Sequence, residues 1–278
     1  MINQLKTVVL LGLLTALLLW VGQLLGGISG LYIAGVFAIL MNFGSYWFSD
    51  KIVLMMYRAK EVADKNHPLY KTVKEVSELA KLPMPKVYII PSDASNAFAT
   101  GRSPKHAAVA ATNGILSLLN HEELKGVMAH EMAHVKNRDI LISTIAGTIA
   151  GVISYIATMA QFAAIFGGRD REHSNVLSLI LLAIITPLIA TIIQLAISRS
   201  REYLADATGA GIVKNSGGLA KALEKLHNDI KKHPMKLGNQ ATAHLFIANP
   251  FSAKGMMALL STHPPMEERV RRLSAIKF

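Results

Sequence analysis

The sequence predicts a mainly α membrane protein, with four transmembrane helices in two hairpins and an α+β region split between the segments that follow each hairpin. Three observations predict it. Long stretches carry no charged residue, the basic residues cluster in the segments between and after those stretches, and one polar helix carries His130, Glu131 and His134 in metal-ligand spacing. Of the 278 residues, 51% are hydrophobic, which excludes a disordered chain. There is no Cys, which excludes a disulfide framework and any thiolate metal site.

The first charge-free run extends from Thr7 to Ser49 and is interrupted near its middle by Gly22, Gly26, Gly27 and Gly30. A bilayer crossing takes roughly 20 apolar residues, so this run holds two spans and a turn. A removable signal peptide is the alternative reading of its first half. The run passes directly into further apolar sequence, so an uncleaved anchor is preferred. Further charge-free runs, Ile140 to Gly168 and Ser174 to Ser198, flank the short charged stretch from Arg169 to Glu172 and predict a second hairpin, with Pro187 as a tolerated kink. Core helices of a large soluble protein would be a poorer account of apolar runs this long.

Charge gives orientation. Lys6 precedes the first span, 13 Lys and Arg residues lie from Lys51 to Arg138, and another 13 lie from Arg199 onward; the loop of the second hairpin has only Arg169 and Arg171. With four spans, the three basic segments share one side, and the positive-inside rule makes that side cytoplasmic. The formal net charge of +11 is then an orientation signal, and no nucleic-acid module or aromatic-interleaved basic patch accompanies it. The expected organisation is a hairpin over 1–49, a cytoplasmic region over 50–139, a hairpin over 140–198 and a second cytoplasmic region over 199–278.

Within the first cytoplasmic region, Val73, Val76, Leu79 and Ala80 recur at helical spacing after His67-Pro68, and Pro83 and Pro85 end the pattern. Lys86 to Ile90 and Ala107 to Ala111 read as strands, with a turn over Pro91 to Ser95. Asn120 then caps a helix, with Glu123 three residues on as the reciprocal partner. On that helix His130 and His134 lie about 40° apart and one turn distant, so both imidazoles can reach one ion. Glu131 is adjacent, where a carboxylate can accept a proton from water beside the ion without being a ligand. Neutral imidazole suits zinc. A chance match on a solvated helix is the competing reading, and a third ligand would decide against it.

The extended H-E-x-x-H-x-x-G-x-x-H pattern is absent, because Asn137 and Ile140 occupy the Gly and His positions. A third ligand must come from elsewhere. His134 lies six residues before the third predicted span and Glu202 four residues after the fourth, roughly 9 Å and 6 Å from the same membrane boundary. Antiparallel neighbours would hold them at similar height, making Glu202 the candidate third ligand. Asp206, one turn on, could orient a ligand imidazole. The competing reading pairs Glu202 and Asp206 with Arg199 and Arg201 on a solvated face.

The paired N-terminal spans, the stretch Asn96 to Gly101, HEMAHVKNRD from His130 to Asp139, SRSREYLAD from Ser198 to Asp206 and THPPMEERVRRL from Thr262 to Leu273 follow one another in an order that resembles the HtpX family. These are bacterial membrane-bound zinc metalloproteases related to the CAAX prenyl endopeptidases, and the resemblance covers nearly the whole chain. It implies a zincin-like fold, one zinc ion held by His130, His134 and Glu202, and Glu131 as general base. It further implies a bacterial inner-membrane protein whose site faces the cytoplasm and cleaves unfolded or damaged membrane proteins. By the same resemblance, the stretch from Asn96 to Thr100 lies along the cleft with Asn96 near a substrate carbonyl, and His263 approaches the oxyanion. Read from the residues alone, Asn96 is equally a turn residue and His263 a loop histidine. Two rival functions stand beside this one: site-specific processing of a lipidated peptide, and a non-enzymatic membrane scaffold stiffened by zinc.

Overall fold

The computed structural model describes residues 2–146, 148–149, 199–235, 240–250 and 264–278. Helix α1, Ile2–Met56, doubles back at Gly26 and Gly27. Gly27 has φ 56° and ψ −138°, a conformation that a side chain would forbid. The two arms then meet closely: a Cβ on Gly22 would collide with Ala34, and Asn42 Nδ2 donates to Thr15 Oγ1 at 2.8 Å across the pair. Thr15 and Asn42 thereby satisfy polar groups on otherwise apolar arms. The second arm, Gly26–Met56, is long and apolar enough to cross a membrane, whereas the first contains the shorter apolar stretch Leu11–Trp20. Ile28, Tyr32, Ile33, Val36, Ile39, Leu40 and Phe43 are all exposed on this arm, as lipid-facing residues would be. The helix runs on to Met56, past the first charges at Asp50 and Lys51, so the end of the apolar run is not the end of the helix.

Of the second expected hairpin, residues 140–146 and 148–149 are helical. The remainder of that expectation, including its turn and return span, lies outside the described residues.

Beyond α1 come β1 (Lys60–Glu61), α2 (Pro68–Ala80), β2 (Lys86–Ile90), β3 (Ala97–Gly101) and β4 (Ala107–Thr112). These are followed by α3 (Asn113–Leu118), α4 (His121–Asn137), α5 (Arg199–Val213), α6 (Gly217–Lys232) and α7 (Met266–Ser274). The strands form one sheet in the order β1-β2-β4-β3. Strands β2 and β4 are parallel, with Val87 opposite Val109, while β1 and β3 join antiparallel at the two edges. The residue pattern predicts the two inner strands. It does not predict β1, which is only two residues long, and β3 is small and Gly-ended, with none of the alternation that marks a half-buried strand.

Helix α2 starts at Pro68, which needs no N–H partner in the first turn, and stops at Lys81 in the left-handed conformation ahead of Pro83. Its buried face, Leu69, Val73 and Val76, joins Val87 and Val109 of the sheet, Val127, Met128 and Met132 of α4, and Leu219, Leu223 and Leu226 of α6 in one core. Each such side chain contributes about 1.5–3 kcal/mol by leaving water. A second cluster connects the end of α1 to the opposite face of the sheet: Val53, Leu54 and Tyr57 pack on Ile90, Phe98, Met235, Leu245 and Phe246. The rings of Tyr57, Phe98 and Phe246 meet with centroids 5.0–5.8 Å apart.

Candidate metal centre

Helix α4 is fixed at its start by the capping box the sequence predicts. Asn120 Oδ1 accepts from the Glu123 N–H at 3.0 Å, and Glu123 accepts from the Asn120 N–H at 3.0 Å. At its end, Arg138 takes the left-handed conformation (φ 58°, ψ 36°), and the chain turns so that Asp139 faces back toward His134. Helix α5 lies directly against α4. A Cβ on Gly209 would come within 2.9 Å of the Ala129 and His130 backbone, so this glycine permits the close approach.

That approach brings together His130, His134 and Glu202, whose donor atoms all lie within 4.8 Å of one another. The two Nε2 atoms are 3.1 Å apart, and Glu202 carboxylate oxygens stand 3.7 Å from His130 Nε2 and 3.6 Å from His134 Nε2. Each imidazole is held from behind by a carboxylate. Asp206 Oδ1 is 2.9 Å from His130 Nδ1, and Asp139 is 3.1 Å from His134 Nδ1. A proton on each Nδ1 leaves both Nε2 lone pairs facing each other and a carboxylate, three acceptors with no donor among them. A cation fits that arrangement, and two imidazoles with one carboxylate leave a fourth position open on a tetrahedral ion such as zinc. In a cation's place the cluster draws a proton. Burial opposes it, but Asp139, Glu202 and Glu131 outweigh burial and raise the His134 pKa to about 10.

Glu131 is 2% exposed and receives the Ala99 N–H from β3. Burial pushes its carboxyl up to about 7, with His134 opposing and Glu202 adding to the rise. A nearby cation would lower it again, leaving a carboxylate able to accept a proton at neutral pH.

Asp206 does more than orient His130. Arg269, fully buried on α7, donates to it through Nε at 2.9 Å and NH2 at 2.7 Å, and donates NH1 to the Ile247 carbonyl at 2.7 Å. Burial alone would raise the Asp206 carboxyl, but Arg269 and His130 hold it below the usual range. Glu202 and Asp206 are thus inward-facing, 6% and 3% exposed, and not on the solvated face that the competing reading places them on.

Asn96 is fully buried and its side chain is already used. Nδ2 donates to the Ala248 carbonyl at 2.7 Å, and Oδ1 accepts from the Ala97 N–H at 3.1 Å. In this conformation it clamps the 240s segment to β3. His263 lies outside the described residues. Three contributors escaped the sequence reading: Asp139, Arg269, and His244, which shares the small cavity lined by Ala99, His130, Glu131, His134 and Glu202. Asp139 and Arg269 stand inside recognisable motifs, but nothing in spacing alone directs their side chains to this site. No periodic signal marks His244 at all.

The chain matches the model for Peptidase family M48 over residues 63–277. It belongs to peptidase family M48. A "Protease HtpX homolog" of Syntrophotalea carbinolica is 57% identical to it, over 98% of each chain. Proteins of the same description from Syntrophobacter fumaroxidans and Aquifex aeolicus are each 52% identical, covering 99% and 92% of this chain and 99% and 87% of their own lengths. Among solved structures, the crystal structure of S. mikatae Ste24p shares the fold at a TM-score of 0.50 and 18% identity, over 98% of this chain and 65% of that one. M48 membership makes the chain a metalloprotease and implies a metal cofactor, and His130, His134 and Glu202 are a group among the described residues that could hold it.

Proposed function

We propose that this M48 protein is a zinc-dependent integral membrane endopeptidase that cleaves unfolded or damaged membrane proteins at the cytoplasmic face of a bacterial inner membrane. The observation that carries the reading is the convergence of His130, His134 and Glu202 beside a buried Glu131. Zinc, when bound, supplies Lewis acidity toward the scissile carbonyl and toward water. The protein's own residues do the rest. Asp139 and Asp206 keep both imidazoles in the tautomer that offers Nε2. Glu131, aimed by the Ala99 N–H, accepts a proton from the attacking water and returns it to the leaving amine. His263 is proposed, through the family resemblance alone, as a donor to the developing oxyanion.

A membrane setting is supported by the exposed apolar arm of α1 and by Tyr46, Trp47 and Phe48 near its end, the residue types that favour a membrane interface. Arg102 stacks over the Trp47 ring at 4.4 Å, bringing a basic group to that level. The basic side would be cytoplasmic.

The test is metal content and cleavage of casein or an unfolded membrane protein in detergent, for three proteins side by side. Glu131→Gln should retain one zinc per chain and lose cleavage by a factor of about 100 or more. Glu202→Ala should lose both. Wild-type cleavage by Glu131→Gln would refute the assignment of the base.

A further inference from the structure

The loop between β3 and β4, residues 102–106, has a fixed shape. Gly101 ends β3 at φ 130°, where a Cβ would collide with the His106 carbonyl. Pro104–His106 form one 3-10 turn, His106 donates its N–H to the Ser103 carbonyl at 2.9 Å, and Ser103 Oγ lies 2.9 Å from His106 Nδ1. That turn presents Arg102 and Lys105, and no Asp or Glu occurs from Ala94 to His121. Neither cation has a carboxylate partner among the described residues.

Two helices place this loop at the level where apolar sequence begins. On α1, the Arg102 guanidinium stacks over the Trp47 ring at 4.4 Å, two residues before the charge-free run ends at Ser49. On the helix beyond α4, Thr144 Oγ1 accepts the Gly101 N–H at 3.3 Å and lies 3.1 Å from Thr100 Oγ1, four residues after the next charge-free run starts at Ile140. At 1.5 Å per residue these are depths of roughly 3 Å and 6 Å inside the same boundary. Tyr46 meets Trp47 edge-on at 5.4 Å, and both rings are partly exposed, as side chains lying between water and hydrocarbon would be. Lys51 follows Trp47 by one helical turn, with its Nζ 5.6 Å from the Phe48 ring. Asp50, the one acidic residue of α1, stands within electrostatic reach of Tyr88 on β2. Three cations against one anion leave this boundary positive.

We infer that the β3–β4 loop, with Lys51, is a docking site for the phosphate of anionic phospholipid headgroups: Arg102 and Lys105 supply the charge, and the Trp47 ring holds the Arg102 guanidinium at headgroup depth. A lipid is the occupant because these cations stand beside exposed aromatic and apolar side chains of α1 and not on an open polar surface. The inference rests on the membrane setting and not on peptide cleavage. It reaches the metal centre through β3, since Ala99, whose N–H meets Glu131, is three residues from Arg102. Headgroup binding thereby holds the strand beside Glu131 at a set height above the bilayer.

The test uses full-length Trp20→Phe protein, in which Trp47 is the sole tryptophan, reconstituted in phosphatidylcholine bilayers. Quenching of Trp47 is read as brominated-chain phosphatidylglycerol or brominated-chain phosphatidylcholine is added, which gives the relative binding constant of the two headgroups beside this ring. Phosphatidylglycerol should be preferred by more than about fivefold, since each cation near the surface is worth about that factor. Arg102→Gln with Lys105→Gln should lower the preference at least about fivefold. Lys65→Gln with Lys71→Gln, an equal loss of charge on exposed residues around the start of α2, should leave it unchanged. A parent ratio near one, or an unaltered ratio in the Arg102 and Lys105 variant, would overturn the site. An equal fall in the Lys65 and Lys71 variant would overturn its location on this loop. If neither lipid quenches Trp47, the ring is not in the bilayer, and the membrane reading fails together with the site.

Discussion

An imidazole can serve as a ligand through Nε2 only if something settles where its other proton goes, and here two carboxylates do so from two different directions. Asp206 reaches His130 from α5, and Asp139 reaches His134 from just beyond the end of α4. Removing either should weaken metal binding, and removing Asp206 should also cost stability because it leaves the buried Arg269 guanidinium without its anion. Asp139→Asn and Asp206→Asn are each expected to raise the zinc dissociation constant about 10–100-fold, measurable by competition with a chelator. Arg269→Met should cost more in stability, on the order of 3–5 kcal/mol, because it leaves Asp206 buried and without its cation partner. Thermal unfolding in detergent would register this as a lowered midpoint even in metal-free protein. At this scale the sequence disclosed the three candidate ligands that the fold brings together and concealed the residues that support them. His130 and His134 are legible because a helix has a fixed period, and Glu202 because two predicted spans bring its level up to theirs. Arg269 is illegible because its role depends on where α7 docks, which no local pattern encodes.

The start of helix α4 was readable for local reasons. Asn120 and Glu123 cap it by side chain-to-backbone bonds made within four residues, so tertiary context is not needed to predict them. Glu123 also receives Lys225 of α6 at 2.7 Å, joining the cap to the neighbouring helix. Burial draws its carboxyl upward, but Lys225 and the Asn120 N–H prevail and set its pKa below the ordinary value. A carboxyl lowered on folding contributes stability that is present above its unfolded pKa, near 4.3, and is lost as pH falls through the lower folded value. Glu123→Gln should therefore be less stable than wild type at pH 7 by roughly 1 kcal/mol, and the gap should close on acidification below about pH 4. A gap that stays constant with pH would show that the Lys225 pair contributes nothing. Strand β3 is the contrasting element. Ala97, Phe98, Ala99 and Thr100 are all buried, so no polar alternation advertises the strand, and its outer edge is occupied by Ile247, Glu131 and Thr144 in turn.

At the scale of the whole molecule, the end of α1 is built into the body that holds the candidate metal site. Val53, Leu54 and Tyr57 fill the sheet face opposite α4, so α1 and the helix bearing His130 and His134 pack on one sheet. The central glycines made the turn within α1 legible, since Gly27 adopts a conformation that a side chain would forbid. The continuation of the helix to Met56 was not legible, because a helix ends on its backbone geometry and a membrane on its chemistry. The orientation has a direct check. With single cysteines placed on the Cys-free background, Lys60→Cys should react with a membrane-impermeant maleimide only in inverted vesicles, and Ser29→Cys only from outside intact spheroplasts. The opposite pattern would put the metal centre on the other side.

The bond from Arg269 to Asp206 and Ile247 also orders events in time. During synthesis the helix bearing His130 and His134 leaves the ribosome well ahead of Glu202, and Arg269 follows 135 residues behind His134. Until it arrives, Asp206 lacks its cation and the Ile247 carbonyl lacks the Arg269 donor. A nascent chain therefore carries the His130–His134 motif through 135 further residues of translation before Arg269 can complete the support of Asp206.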